Sequence, residues 1–180
     1  GARENTLVVF TTDHGEMLGR HGMWGKGAAA YDDCQRIPFV VSWPAAQRGA
    51  VGRTGAAVNL VDLMPTFLDA AGAGAPPFMQ GVSQLPVVRG ETEAVRDWAL
   101  IDFLATVNLH QQTLICGDYK LVVYRHADYG ELYNMADDPG QYDNLFDKKE
   151  AAGVKAMMMQ RLARANMEAA GTMPGRIANA

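Results

Sequence analysis

Between Thr11 and Lys26 the chain reads TTDHGEMLGRHGMWGK. A carboxylate and an imidazole stand side by side there, Asp13 and His14, and a second imidazole, His21, and an ammonium, Lys26, follow in the same stretch. Asp13 offers an anionic oxygen and His14 a neutral ring nitrogen, both of them metal donors. Neighbours on an extended strand point to opposite faces, so the two reach one ion only where the chain leaves extended geometry. Gly15 makes that departure cheap. Two donors fall short of a complete set, since zinc takes about four and calcium six to eight. The stretch therefore reads as half of a metal site. A lysine beside a divalent cation makes sense when the substrate is an anion, because the two positive charges then bracket oxygens that gain charge in the transition state. Spacing alone does not place Lys26 near Asp13, and Asp-His-Gly by itself is a weak motif that an ordinary turn also explains.

The elements that must position these residues are short. Leu7–Phe10 is an apolar run without alternation, which reads as a strand buried on both faces inside a parallel sheet. A loop beyond its carboxyl end is where ligands of open α/β sheets bind. IPFVVSW (Ile37–Trp43) reads as a second such strand, ended by Pro44, and Ala45–Ala56 as a Gly-rich surface connection. In NLVDLMPTFLDAAGA, Leu60, Leu63, Phe67 and Leu68 recur at helical spacing. Pro65 fits the first turn of that helix, with the preceding residues in a lead-in turn, and Gly72 is its stop. Ala75–Asp97 is rich in Pro and Gly and forms the expected boundary between two structural units.

Beyond that boundary the pattern changes. WALIDF, QTLICG and YKLVVYR are strand-sized runs separated by turn residues such as Gly117-Asp118, and GELYN adds another before the turn at Asp138-Pro139-Gly140. Such close spacing predicts an antiparallel meander. A helix from about Lys148 to Ala169 closes the pattern, with Val154, Met158, Leu162 and Ala165 on one stripe.

Composition narrows the classes. Of 180 residues, 48% are apolar and 20% charged, ordinary globular usage. A formal charge of −4 supplies no basic face for a nucleic acid. No apolar run approaches the length of a membrane span. Cys34 and Cys116 form neither a CxxC pair nor a disulfide framework. Asp137, Asp138 and Glu150 read as solvated surface, and His110 and His126 as structural or exposed.

TTDHGEMLGRHGMWGK followed by YDDCQRIPFVVSWP, then VNLVDLMPTFLDAAG, GVSQLPVVRG, GDYKLVVY and ELYNMADDPGQYDNL, resembles the sulfatase family of the alkaline phosphatase superfamily, in its C-terminal portion. The resemblance runs in order over essentially the whole chain. It implies an α/β chain in two parts. Residues 1–90 would be the C-terminal part of an alkaline-phosphatase-like mixed sheet with flanking helices. Residues 91–180 would be a small antiparallel sheet packed on a C-terminal helix.

The resemblance also implies roles. Asp13 and His14 correspond to ligands of the active-site divalent metal, most commonly calcium, with manganese or zinc in view because an imidazole suits those ions better. Lys26 corresponds to the lysine that contacts the sulfate and supports departure of the alcohol oxygen. His21 and Trp24 lie on matching segments, at the substrate edge or as anchors of the loop, and Arg36 and Pro38 match a structural loop-to-strand connection. In the whole enzyme, two aspartates and a formylglycine nucleophile come from an upstream part. Neither Cys34 nor Cys116 sits in the formylglycine motif, so the 180 residues by themselves are expected to be inactive and to be joined by upstream residues or a partner chain. The implied substrate is a small sulfate ester. A phosphonate monoester or phosphodiester hydrolase of the same superfamily, and a non-catalytic sulfatase-like module, are the alternatives. Baring the edges and apolar faces of such a sheet predicts self-association.

Overall fold

The computed structural model describes residues 1–44 and 52–170. Residues 45–51 of the expected Gly-rich connection lie outside the described residues. The chain forms two compact units that alternate along it. Val8–Ser42 and Trp98–Ala163 make one; Gly1–Leu7, Trp43–Asp97 and the residues from Arg164 onward make the other.

The first of these units contains two sheets. Strand β1 (Val8–Thr11) pairs with β2 (Phe39–Ser42) in antiparallel register, Val8 opposite Ser42 and Phe10 opposite Val40. This corrects the expectation of strands buried in a parallel sheet. Val8, Phe10 and Val40 share one face and are 53%, 65% and 57% exposed, while Val9, Thr11, Phe39 and Val41 on the other face are half-buried. An apolar run states that both faces want cover; it carries no information on the direction of the neighbouring strand.

The second sheet is the expected meander, all antiparallel in the order β3 (Trp98–Thr106), β4 (Leu109–Cys116), β5 (Tyr119–Tyr124) and β6 (Gly130–Asn134). Gly117-Asp118 is the two-residue turn between β4 and β5. Leu114, Leu121 and Leu132 stand side by side on one face, fully buried. Helix α4 (Ala152–Ala169) lies toward that face, with its Arg161 guanidinium over the ring of Trp98. Met158 and Leu162 of α4 are buried; Met157 and Met159 are exposed, as helical spacing requires. The opposite face of the meander is polar at its centre. It carries Gln111, Thr113, Lys120, Tyr124, Glu131 and Tyr133, and Gln111, Thr113, Lys120 and Tyr133 are buried.

The other unit is organised by one carboxylate. A 3-10 turn over Leu60–Asp62 leads into α2 (Leu63–Ala70), with Pro65 in the first turn. Gly72, at φ +68, ends the helix: its N–H donates to Asp69 O and that of Ala73 to Leu68 O, the paired closure that a left-handed residue permits. Asp62 is 1% exposed and accepts from the backbone N–H of Asn59 (2.8 Å) and Val82 (3.0 Å), from Gln84 Nε2 (3.0 Å) and from Arg96. It thereby ties the start of α2 to the segment before the short helix α3 (Leu85–Val88). Removing one partner of a buried, hydrogen-bonded pair leaves the other charge unsolvated, at about 3–5 kcal/mol. Asp62→Ala is expected to lower the unfolding free energy by about that much in a urea titration. A loss below about 1 kcal/mol would mean that the network is replaceable.

Candidate functional site

Strand β1 ends at Thr11, and Thr12 starts the departure from extended geometry. Thr12 Oγ1 reaches both Asp13 Oδ1 (3.2 Å) and His14 O (3.3 Å), and the His14 N–H donates to Asp13 Oδ1 (3.1 Å). Backbone hydrogen bonding, more than the nearby imidazole, holds the Asp13 carboxyl below its ordinary range. The carboxylate itself is open to solvent.

The ring of His14 is fixed from both sides. Nδ1 lies 2.7 Å from Gly15 O, and a carbonyl only accepts, so Nδ1 carries the proton. Nε2 then presents its lone pair, and Lys26 Nζ stands 2.7 Å from it as donor. Asp13 Oδ2 is 3.6 Å from the same nitrogen. Asp13, His14 and Lys26 thus converge, which spacing alone did not dictate. No group of three or more His, Cys, Asp or Glu able to hold a metal occurs among the described residues.

The loop is held in place by its backbone. Gly15 N–H donates to Cys34 O (2.8 Å) and Glu16 N–H to Asp33 O (2.9 Å), both carbonyls of the one-turn helix α1 (Asp32–Gln35). A Cβ on Gly15 would lie 1.9 Å from Asp33 O. Glycine is required here by close approach of two backbones, not by the conformational freedom that the sequence suggested. Cys34 is buried against this contact, and burial pushes its thiol up.

His21 stands elsewhere in the loop, at φ +51, stacked on Tyr31 with ring centres 3.8 Å apart and planes 9° from parallel. Tyr142 closes on it at 4.7 Å, and its Nε2 is buried with no hydrogen-bond partner. Trp24 is 80% exposed, not an anchor. Arg36 is largely exposed at the end of α1. Beside Lys26 a recess of about 430 Å³ is lined by Met17, Trp24, Tyr31, Tyr124 and Glu131 among others. The Glu131 carboxylate accepts from the phenols of Tyr124 and Tyr133, the latter at 2.9 Å. Burial first and Glu131 second push both phenols above their ordinary range, so they remain donors. Sequence reasoning missed Glu131 and the buried Lys120. A lysine in the middle of the run YKLVVY was the available signal for the second.

A carboxylate, an imidazole and an ammonium thus stand together beyond the end of a strand, beside a recess. Residues 19–168 match the family described as "N-sulphoglucosamine sulphohydrolase, C-terminal", and the chain belongs to that family. It is 36% identical over 171 residues to the N-acetylglucosamine-6-O-sulfatase of Bacteroides thetaiotaomicron, covering 90% of this chain and 30% of that protein. Its fold superposes with a TM-score of 0.82 at 31% identity on BT4656, solved with its substrate D-glucosamine-2-N,6-O-disulfate, over 92% of this chain and 35% of the other. It also superposes with a TM-score of 0.79 at 27% identity on the phosphonate monoester hydrolase of Agrobacterium radiobacter, over 94% and 36%. The chain therefore spans about a third of the length of the proteins it resembles.

The contact at Gly15 makes a sharp prediction. Gly15→Ala is expected to destabilise the unit by about 1–3 kcal/mol or more, because the atom in the way is backbone and has no rotamer to adopt. Thermal unfolding measures it; an unchanged midpoint would mean that the loop does not sit against α1 in solution.

Proposed function

We propose that this chain is the C-terminal portion of a sulfuric ester hydrolase, in which Asp13 and His14 supply two metal ligands and Lys26 contacts the ester. The convergence of those three residues beyond β1 carries the reading. Asp13 Oδ2 and His14 Nε2 are 3.6 Å apart, a separation that two donors on one ion can hold with bonds of about 2.0–2.6 Å. The donor set fits calcium, manganese or zinc in that sense, with the remaining ligands and a formylglycine nucleophile coming from outside these 180 residues. Such an ion supplies Lewis acidity at the ester oxygen. The chain's own residues do the rest: Lys26 turns its ammonium from His14 Nε2 to the ester, where negative charge grows, and the Gly15 carbonyl holds His14 in the tautomer whose Nε2 lone pair is then open to the metal.

The recess beside Lys26 receives the alcohol part of the substrate, with His21 shaping it from behind Tyr31. The names of the relatives favour a sulfated sugar there. In this reading residues 1–90 come from the catalytic α/β domain and residues 91–180 from the closing subdomain, although Val8–Ser42 packs in one compact unit with Trp98–Ala163. A second reading, hydrolysis of a phosphonate monoester, is favoured by the Agrobacterium enzyme, whose fold is matched almost as well as that of BT4656.

Turnover of paired aryl sulfate and aryl phosphonate esters by the full-length protein separates the two. Preference for the sulfate by orders of magnitude supports the first reading; preference for the phosphonate supports the second; no turnover of either, with metal supplied, leaves a non-catalytic module. Lys26→Ala is expected to lower kcat/KM for the preferred ester by about 10²–10³. An unchanged rate would remove Lys26 from the site.

Val8, Phe10 and Val40 form an exposed apolar face that a complete enzyme would cover. The 180-residue chain made alone is expected to self-associate in sedimentation velocity, and Phe10→Ser with Val40→Thr to shift it toward monomer. A clean wild-type monomer, stable to dilution, would mean that this face needs no cover.

A further inference from the structure

Lys120 has no solvent exposure at all, the rarest environment for a lysine, and nothing in the proposed chemistry uses it. Its Nζ donates to Asp32 Oδ1 at 2.8 Å and to Gln141 Oε1 at 2.9 Å. Asp32 is the first residue of α1, whose next two carbonyls, Asp33 O and Cys34 O, receive the N–H groups of Glu16 and Gly15. Gly15 O in turn receives His14 Nδ1, and His14 Nε2 receives Lys26. Hydrogen bonds joined by the backbone of α1 therefore link Lys120 of β5 to the candidate site.

Two further contacts hold α1 in the same place. Gln35 Nε2 donates to Thr113 Oγ1 of β4 at 3.0 Å, and Arg20 Nε lies 3.4 Å from Asp33 Oδ1. Of the three, only the Lys120 contact joins two charges with a partner wholly removed from water, where the interaction is least screened. Burial pulls the Lys120 ammonium below its ordinary range, and Asp32 is the largest influence opposing that.

We propose that Lys120 is a positioning residue: through Asp32 it fixes α1, and α1 fixes the Gly15 backbone on which the placement of His14 and Lys26 depends. Its importance for catalysis rests on the hydrolase reading; its mechanical content does not. The pair acts on orientation and not on bulk stability, because a buried ion pair exchanged for neutral groups of similar volume is often no less stable.

The test uses the full-length protein with Lys120→Met and with the double variant Lys120→Met/Asp32→Asn. The double variant removes the half-buried carboxylate that the single one leaves without its lysine. Amide hydrogen exchange is followed at Gly15 and Glu16 against the amides of β4 and β5, with kcat and KM measured in parallel on the preferred ester. The expected result in the double variant is exchange at least about tenfold faster at Gly15 and Glu16, unchanged exchange in β4 and β5, and kcat reduced more than KM is raised. Wild-type exchange at Gly15 and Glu16 in the double variant would overturn the proposal, as would loss of protection throughout the meander in both variants, which marks a general folding role. Faster exchange confined to the loop, in a protein that hydrolyses neither ester even as wild type, would uphold the positioning and sink the hydrolase reading instead.

Discussion

The backbone of Gly15 lies so close to the backbone of α1 that no side chain can stand between them, and the candidate site is built outward from that contact. Two N–H groups of the loop are spent on two carbonyls of one helical turn. Helix ends leave such carbonyls without partners of their own, so each side satisfies the other. With Gly15 pinned, its carbonyl becomes a fixed acceptor for His14 Nδ1, and the tautomer of the ring follows. A local steric fact thereby sets which nitrogen presents its lone pair to Lys26.

A helix of four residues cannot hold itself, because nucleation fixes several dihedrals for each hydrogen bond gained. The conformation of α1 must come from tertiary contacts, and the meander supplies them from β4 and β5, where Thr113 and Lys120 face it. The meander can serve as a platform because the centre of its other face is apolar. Leu114, Leu121 and Leu132 bury fully on the α4 side, which stabilises the sheet and leaves the opposite face free to carry polar groups.

What could be read from the sequence was what local chemistry decides. Pro65 and Gly72 bound α2 through a fixed φ and a left-handed closure, and both effects act within a few residues. The meander was legible for the same reason, since short strands joined by tight turns have little choice but to pair with their neighbours. The pairing direction of β1 and β2 was not legible, because it is set by which strand lies alongside and not by the composition of either. The contact of Lys26 with His14 spans twelve positions of irregular loop, which no periodicity encodes. Asp13, His14 and Lys26 were singled out by residue type and by resemblance; their mutual geometry had to come from the fold. Lys120 hid inside an apolar run, and only the register that sets it opposite Tyr133 shows which face it occupies.

Across the loop, α1 and the polar face of the meander, each of three carboxylates has its own donors. Asp32 takes Lys120, Asp33 takes Arg20, and Glu131 takes the two phenols. A wrong pairing would leave a buried charge unsatisfied, a penalty larger than the gain from any one correct contact. Apolar packing anchors this loop through Met17, but it does not by itself fix the orientation of polar groups. Hydrogen bonds are directional where hydrophobic contact is not. A loop that orients an imidazole and an ammonium is therefore better fixed by a satisfied polar network than by an oily core, even where the core would be as stable.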